Sequence, residues 1–245
     1  MSDYAYSAVW RDGTGAQFWR VGLALDVMAV EDAAFMVQGL RMSVLRPDGD
    51  RLAAVWRPGS GAQFWHTGLD ADEFKKKDEH FFNQDLRLVS FFVDADHFTA
   101  LWRPGTGAQR WQYGLTFEQF KEKDKHFFDE GLRLVTMCRH FQGTFGQDLR
   151  FAGVWRAGSG GQHWLTLNGN DAGLKQFEKE NQQHFDAGLR LVALTGNGLS
   201  AVWRAGTDAQ AVRTILNFHD LKKTDEEYFK LGMRLVDLDE GLYLA

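Results

Sequence analysis

Cysteine, proline and long apolar runs are scarce in this chain. Cys138 is the one cysteine among 245 residues, which excludes an internal disulfide and a cysteine-rich zinc site. No apolar stretch approaches the roughly 18 residues of a membrane span. Residues 1–10 show no basic segment followed by an apolar one, the pattern of a conventional signal peptide. We therefore expect a soluble protein without a membrane span, either cytoplasmic or exported without a conventional signal peptide.

A net positive charge is lacking as well. The net charge is −5 at pH 7, whereas a nucleic-acid-binding protein needs a basic surface to neutralise phosphates. Nucleic acid is therefore not an expected partner. A hydrophobic fraction of 44% and an aromatic fraction of 14% are typical of a globular protein with a substantial core.

Internal repetition is what the chain has in abundance. Trp-Arg pairs recur with steps of 46, 46, 53 and 48 residues, beginning at Trp10, Trp56, Trp102, Trp155 and Trp203. A second marker is the arginine of a GLRL-like segment, at Arg41, Arg87, Arg133, Arg190 and Arg234. The pattern predicts a single repeat domain over 1–245, with units at about 4–45, 46–91, 92–137, 138–194 and 195–245.

Each unit begins with two strand-like segments separated by a glycine-rich turn. The first ends in Trp-Arg and the second in Gln-x-Trp, which favours an antiparallel β-hairpin with Trp56 opposite Gln63. A helix and a returning GLRL strand follow. The predicted fold class is α+β, with five pseudo-symmetric units of about 46–53 residues, each an antiparallel β-hairpin plus a helix and a returning strand, in a closed or nearly closed ring.

The helix limits are marked in the sequence. Asp70 with Glu73, and Thr116 with Gln119, have the spacing of capping boxes, and Gly131 is placed to end the third helix. Phe120, Phe127 and Phe128 form the apolar stripe predicted for that helix.

A carboxylate recurs nine residues before the marker arginines, at Asp32, Asp78, Asp124 and Asp225, with Asn181 in the fourth unit. Asp124 falls on the apolar stripe of its helix, where an unpaired charge is costly. We expect these carboxylates to form ion pairs with an arginine of the Trp-Arg or GLRL series.

The Gln-x-Trp segments supply the candidate ligand-binding residues. Tryptophan faces bind the C–H surfaces of sugars, glutamines donate directional hydrogen bonds, and repeated weak sites gain by avidity. The candidates are Gln17, Trp19, Gln63, Trp65, Gln109, Trp111, Gln162 and Trp164. An alternative is that these residues only pack the hairpins. A further alternative is protein binding through exposed Phe18 and Phe64.

Catalytic and metal-binding motifs are missing. The histidines show none of the usual metal-ligand spacings, so no metal and no cofactor are expected. An insertion at 138–151 carries Cys138 and His140, but their spacing is a weak sign of a thiol nucleophile, and a lengthened hairpin is favoured. GLYLA at 241–245 resembles the start of another Trp-Arg strand. The chain is therefore expected not to be an enzyme.

The pattern of AVWR or ALWR, a tryptophan nine residues later, GLT before a helix, and then GLRL resembles a bacterial tandem-repeat family. This family is also found on the N-terminal side of secreted serine hydrolases, including the fungal polyglycine hydrolases. The resemblance covers nearly the whole chain and is closest in FTALWRPGTGAQRWQYGLTFEQFKEKDKHFFDEGLRLV. It implies an accessory repeat domain, because the β-lactamase-like module that carries catalysis in that family has no counterpart motif here.

These observations favour a non-catalytic, multivalent, lectin-like module that binds a glycan or polysaccharide. The alternatives are a protein-interaction or structural repeat domain, and an accessory part of a hydrolase system. The partner is then a glycan or a protein surface, and the oligomeric state is open.

Overall fold

The computed structural model describes residues 5–48, 50–94, 96–142, 148–195 and 199–240. Its helices are α1 (Leu25–Val37), α2 (Ala71–Phe82), α3 (Phe117–Asp129), α4 (Asp171–Asp186) and α5 (Phe218–Lys230). The strands of the N-terminal half are β1 (Tyr6–Asp12), β2 (Phe18–Leu23), β3 (Leu40–Asp48), β4 (Arg51–Pro58), β5 (Phe64–Leu69), β6 (Leu86–Asp94), β7 (His97–Pro104) and β8 (Gln109–Leu115). The remaining strands are β9 (Leu132–Gln142), β10 (Asp148–Ala157), β11 (Gln162–Thr166), β12 (Leu189–Thr195), β13 (Ser200–Ala205), β14 (Gln210–Leu216) and β15 (Met233–Glu240).

The chain divides into two compact units. The first comprises Met1–Gly59 and Gly160–Ala245, and the second comprises Ser60–Ser159. None of the helices in the described residues is both long and apolar enough to cross a membrane. The division into five repeats within one domain, with the boundaries given above, stays a prediction.

Five three-stranded antiparallel sheets carry the repeat pattern. In each described sheet a Trp-Arg strand lies in the centre, flanked by a GLRL-like strand and by a Gln-x-Trp strand or, in the sheet of β1, by its equivalent β14. The first compact unit holds the sheets β2-β4-β3, β11-β13-β12 and β14-β1-β15, and the second holds β5-β7-β6 and β8-β10-β9. The α+β class with repeated units is thus confirmed.

The expected pairing across the glycine turn is wrong. Trp56 lies opposite Phe18 of β2 and Met42 of β3, and not opposite Gln63. The hairpin of each repeat is instead the GLRL strand with the Trp-Arg strand that follows it, such as β3 with β4. The glycine turn therefore leads from one sheet into the next, because strands on its two sides bond to different partners.

The first strand belongs to the last sheet. β1 pairs with β14 on one side and with β15 on the other. A closed ring is not detected in the part of the chain that the structure describes, so this part of the expectation is not confirmed. The expected strand at GLYLA, 241–245, lies outside the described residues.

The helix limits agree with the sequence. Both predicted capping boxes are present: Asp70 accepts from the Glu73 amide at 2.8 Å, and Thr116 from the Gln119 amide at 3.3 Å. Gly131 follows α3 with a φ of 79°, a left-handed conformation that glycine adopts without strain.

The apolar stripe of α3 contains two of the three phenylalanines that were predicted for it. Phe120 and Phe127 are buried, whereas Phe128 is 37% exposed. The guanidinium of Arg133 lies 3.6 Å from the Phe128 ring centroid, so this phenylalanine is a platform for an arginine and not part of the core.

The core centres on the five tryptophans of the Trp-Arg pairs, each fully buried. Each packs against an aromatic side chain of the helix above it, with ring centroids about 5 Å apart. The pairs are Trp10 with Tyr228, Trp56 with Phe35, Trp102 with Phe81, Trp155 with Phe127, and Trp203 with His184.

Candidate functional site

A buried carboxylate accepts hydrogen bonds from the residues that define the repeat. Asp78 lies on α2 with its side chain inward. Its Oδ1 accepts from Nε1 of Trp102 at 2.9 Å and from Nε2 of Gln109 at 3.0 Å, and its Oδ2 accepts from Nε1 of Trp111 at 2.8 Å. We call this arrangement the carboxylate cluster. It satisfies both carboxylate oxygens with neutral donors, as a buried charge requires.

The same cluster is formed around Asp225 on α5. Its Oδ1 accepts from Trp10 at 2.8 Å and from Gln17 at 2.7 Å, while its Oδ2 accepts from Trp19 at 2.8 Å. Two further carboxylates accept the indole N–H of a central tryptophan at 2.8 Å: Asp32 from Trp56, and Asp124 from Trp155. The recurring helix position is therefore a structural acceptor.

The fourth repeat shows why an asparagine suffices at this position. Oδ1 of Asn181 accepts from Trp203 and from Gln210, both at 3.0 Å. The third donor is missing, because Val212 stands where other repeats have the Gln-x-Trp tryptophan. An amide has one acceptor oxygen and a carboxylate has two. Asp78 and Asp225, which have two acceptor oxygens, thus each bind two tryptophans, whereas Asn181, which has one, binds one.

At Asp78 and Asp225 the expected ion pairs with an arginine are not found among the described residues, although the charge of Arg87 acts to lower the pKa of the Asp78 carboxyl. Nη1 of Arg87 donates to the carbonyls of Phe82 and Leu86 at 3.0 and 2.8 Å, and its Nε donates to the carbonyl of Gly107 at 2.8 Å. The equivalent arginines Arg133, Arg190 and Arg234 likewise bond the last carbonyls of their helices and stack on a phenylalanine. Arginine here stabilises helix ends.

Burial and hydrogen bonding oppose each other at Asp78. Removal from water raises the pKa of its carboxyl above the ordinary value, while the bonds from Trp102, Trp111 and Gln109 act to lower it. Three N–H donors thus offset only part of the cost of burying the charge.

Four of the predicted ligand-binding residues lie in these clusters: Gln17 and Trp19 bond Asp225, and Gln109 and Trp111 bond Asp78. Gln63 and Gln109 are buried, Gln17 and Gln162 are half-buried, and all four Gln-x-Trp tryptophans are half-buried. Gln109 uses both ends of its amide, because its Oε1 also accepts from the Leu88 amide at 2.8 Å. Gln17 bonds the Leu235 amide in the same way. Whether any of these residues bind a ligand stays a prediction.

A pocket of about 620 Å³ opens beside one of them. It lies between β2 and α5 in the first compact unit, and its aromatic lining is Phe18, Trp19 and Phe218. The remaining lining residues are Gln17, Arg20, Val21, Lys222, Asp225 and Glu226. The pocket thus adjoins a recurring structural element, the Asp225 cluster, and the exposed charged residues Lys222 and Glu226.

A second group of candidate ligand side chains was missed by the sequence reasoning. His163, Glu180 and His184 place one potential ligand atom each within 4.8 Å of the others. A signal was present: Glu180 and His184 are four residues apart on one helix. The partner His163 stands at the variable position of Gln-x-Trp, and only the pairing of strands shows that it faces this helix.

The insertion at 138–151 forms the lengthened hairpin that was expected. β9 and β10 remain paired out to Gln142 opposite Asp148, and residues 143–147 lie outside the described residues. Cys138 is fully buried and packs in the core of the second compact unit. His140 is also buried, and its Nε2 accepts from the Gly114 amide at 3.3 Å. The thiol therefore lies in the core, away from solvent.

Residues 107–157 match a family model described as "Polyglycine hydrolase-like, structural repeat". The match confirms the resemblance drawn from the repeated motifs. It covers β8, α3, β9 and β10, which together form one complete three-stranded sheet with its helix. The description is that of a structural repeat and not of a catalytic domain, so it provides no positive evidence of enzymatic activity. Searches of curated proteins and of solved structures found no match.

Proposed function

We propose that this chain is a non-catalytic binding module of repeated units and that the pocket between β2 and α5 binds a glycan. The observation that carries the proposal is the position of Trp19. This half-buried tryptophan lines an open pocket together with Phe18 and Phe218, beside the charged side chains of α5.

Size and lining both suit a sugar. A volume of about 620 Å³ lies within the range of small-ligand sites. Aromatic side chains give an apolar surface for sugar C–H groups, and Phe218 is 54% exposed. Its ring centroid lies 5.8 Å from that of Trp19, in an edge-on arrangement.

The polar groups that remain available are those of the helix. Asp225 and Gln17 already bond within the carboxylate cluster. Lys222 and Glu226, in contrast, are exposed, and neither has an ion pair among the described residues. They are four residues apart, so both project from one face of α5. An ammonium and a carboxylate at the rim can donate to and accept from sugar hydroxyls.

Part of this arrangement recurs around Asp78 and gives the proposal its multivalency, although Arg110 and Ala71 stand there in place of Phe18 and Phe218. Lys75 and Glu79 stand at the same offsets from Asp78 as Lys222 and Glu226 do from Asp225. The Asp78 cluster likewise holds a Gln-x-Trp tryptophan, Trp111. Two weak sites on one chain raise the apparent affinity for a polymer without any new contact.

A glycan array with the labelled full-length chain tests the proposal. The test variant carries Lys222→Ala with Glu226→Ala, and the matched control carries Lys223→Ala with Glu227→Ala. The control changes exposed residues of the same helix that do not line the pocket. We expect wild type and control to bind the same glycans and the test variant to lose at least about tenfold in affinity, or about 1.4 kcal/mol.

Two outcomes contradict the proposal. Equal binding by both variants would move the glycan site away from the pocket. Failure of the wild type to bind any glycan would refute glycan recognition and favour the protein-interaction alternative.

Protein interaction is supported by exposed apolar side chains. Phe64 is 40% exposed, and Phe141 and Leu149 are 49% and 36% exposed opposite each other on the β9–β10 hairpin. Phe18 is half-buried against Phe35, with ring centroids 4.9 Å apart. Because Phe18 lines the proposed glycan pocket, the discriminating variant is Phe64→Ala, and loss of a protein partner with retained glycan binding would favour this alternative. The family description also leaves an accessory role in a hydrolase system as a third possibility.

A further inference from the structure

Two histidines and a glutamate meet in the fourth repeat. His163 projects from β11, and Glu180 and His184 project from one face of α4. The two imidazole ring centroids are 4.0 Å apart, and one potential ligand atom from each of the three side chains lies within 4.8 Å of the other two.

The first two repeats have phenylalanines at the same positions as the histidines. Phe18 stacks on Phe35 with ring centroids 4.9 Å apart, and Phe64 stacks on Phe81 at 4.7 Å. His163 and His184 thus replace an apolar contact that packs well elsewhere in this chain. Packing alone gives no reason for the replacement, because imidazole buries less apolar surface than a phenyl ring.

The hydrogen bonding of His184 is incomplete. Its Nε2 is buried and has no hydrogen-bond partner among the described residues. Oε2 of Glu180 is 3.7 Å from it, which is longer than a hydrogen bond. A buried nitrogen without a partner is costly unless something else binds it.

The protonation state also fits a ligand role. Burial lowers the pKa of His163, although Glu180 opposes the shift. Burial and the neighbouring His163 lower the pKa of His184. Burial therefore favours the neutral form of both imidazoles, the form whose nitrogen lone pairs can bind a metal ion.

We propose that His163, Glu180 and His184 form a binding site for a divalent transition-metal ion, with zinc as the best match to the donors. Two imidazole nitrogens and one carboxylate oxygen are a common zinc ligand set with a fourth position left open. His163 is exposed, so that fourth position faces solvent and takes water or a small ligand.

The distances require only a small adjustment. Zinc–nitrogen bonds of about 2.0–2.1 Å place tetrahedral donors roughly 3.3 Å apart. The ligand atoms must therefore approach one another by up to about 1.5 Å from separations of up to 4.8 Å. Rotation about the side-chain bonds of His163 and Glu180, which lie nearer the solvent than His184, can supply this movement.

Zinc binding to the full-length chain tests the proposal. Protein stripped with a chelator is titrated with zinc chloride by calorimetry and, separately, with cobalt(II), whose visible absorption reports a tetrahedral site. The test variant carries His163→Phe with His184→Phe, and so adopts the residues of the second repeat. Glu180→Gln is a second test variant, and His80→Ala removes an exposed histidine of α2 as the control.

We expect one zinc ion per chain for wild type and for His80→Ala. Both test variants should lose at least about tenfold in affinity, since even residues that only support a ligand contribute that much. The cobalt absorption should disappear with the two histidines. Absence of zinc binding in the wild type, or equal affinity in the wild type and the folded Phe variant, would overturn the proposal. If the Phe variant does not fold, Glu180→Gln decides in the same way.

Discussion

The indole N–H of Trp102 donates to the carboxylate of Asp78 at 2.9 Å and thereby joins a strand of one repeat to the helix of the preceding one. The Trp10–Asp225, Trp56–Asp32, Trp155–Asp124 and Trp203–Asn181 bonds repeat the relationship. The residues that make the repeat recognisable in the sequence therefore hold it together. Our two binding proposals rest instead on residues outside these bonds, such as Lys222 and His163.

Two glycines with a positive φ, one in a glycine turn and one after a helix, provide a prediction on backbone strain. Gly61 and Gly131 have φ values of 82° and 79°, but only Gly61 is crowded, since a Cβ there would lie 2.7 Å from Cγ of Pro104. We expect Gly131→Ala to lower the free energy of unfolding by about 1 kcal/mol through strain alone. Gly61→Ala should cost about 2–3 kcal/mol, because the steric contact adds to the strain. Urea denaturation measures both, and equal losses would show that the contact with Pro104 relaxes freely.

The pair of Arg11 and Asp208 predicts a pH dependence. Nε of Arg11 donates to Oδ2 of Asp208 at 2.7 Å, and this bond holds the pKa of the Asp208 carboxyl below its ordinary value. A lowered pKa in the folded state contributes stability above the unfolded pKa, and that stability is lost as the pH falls through the folded pKa. The Asp208 side chain is 30% exposed, so we discount the gain to less than about 1 kcal/mol.

Denaturation of wild type and Asp208→Asn across pH measures this contribution. The variant should be less stable at pH 7, and the difference should shrink as the pH falls from the unfolded pKa of about 3.9 through the lower folded pKa. Asp50→Asn is the control, since this side chain is 93% exposed, and it should change stability little at any pH. A difference between wild type and Asp208→Asn that persists in acid would contradict the ion-pair account.

Local signals in the sequence predicted local structure well. The capping residues Asp70 and Thr116 and the stop at Gly131 are where the sequence placed them, because each acts within a few residues of the chain. Strand pairing is not local. A glycine turn between two strands looks like a hairpin whether the strands pair with each other or, as Trp56 and Gln63 show, with other strands.

The site was predicted only in part, for a related reason. The sequence identified the recurring carboxylate but missed its hydrogen-bond donors. It paired the buried Asp with an arginine, whereas the hydrogen bonds to Asp78 come from indole and amide N–H groups such as those of Trp102 and Gln109. The guanidinium of Arg87 donates instead to the Phe82 carbonyl, at the end of the helix that precedes it. The group of His163 with His184 depends on strand pairing and could not be found from spacing.

The most direct test of this account is a double-mutant cycle between Asp78 and Trp111, measured by urea denaturation at pH 7. Asp78→Asn turns an amide N–H₂ towards the indole N–H of Trp111, so it should cost about 1–3 kcal/mol. In a Trp111→Val background, which reproduces the pairing of Asn181 with Val212, the same change should cost less than about 0.5 kcal/mol. Asp72→Asn, on the exposed face of α2, should also stay within about 0.5 kcal/mol. If the cost of Asp78→Asn is the same with tryptophan or valine at position 111, the repeat residues do not act through the carboxylate.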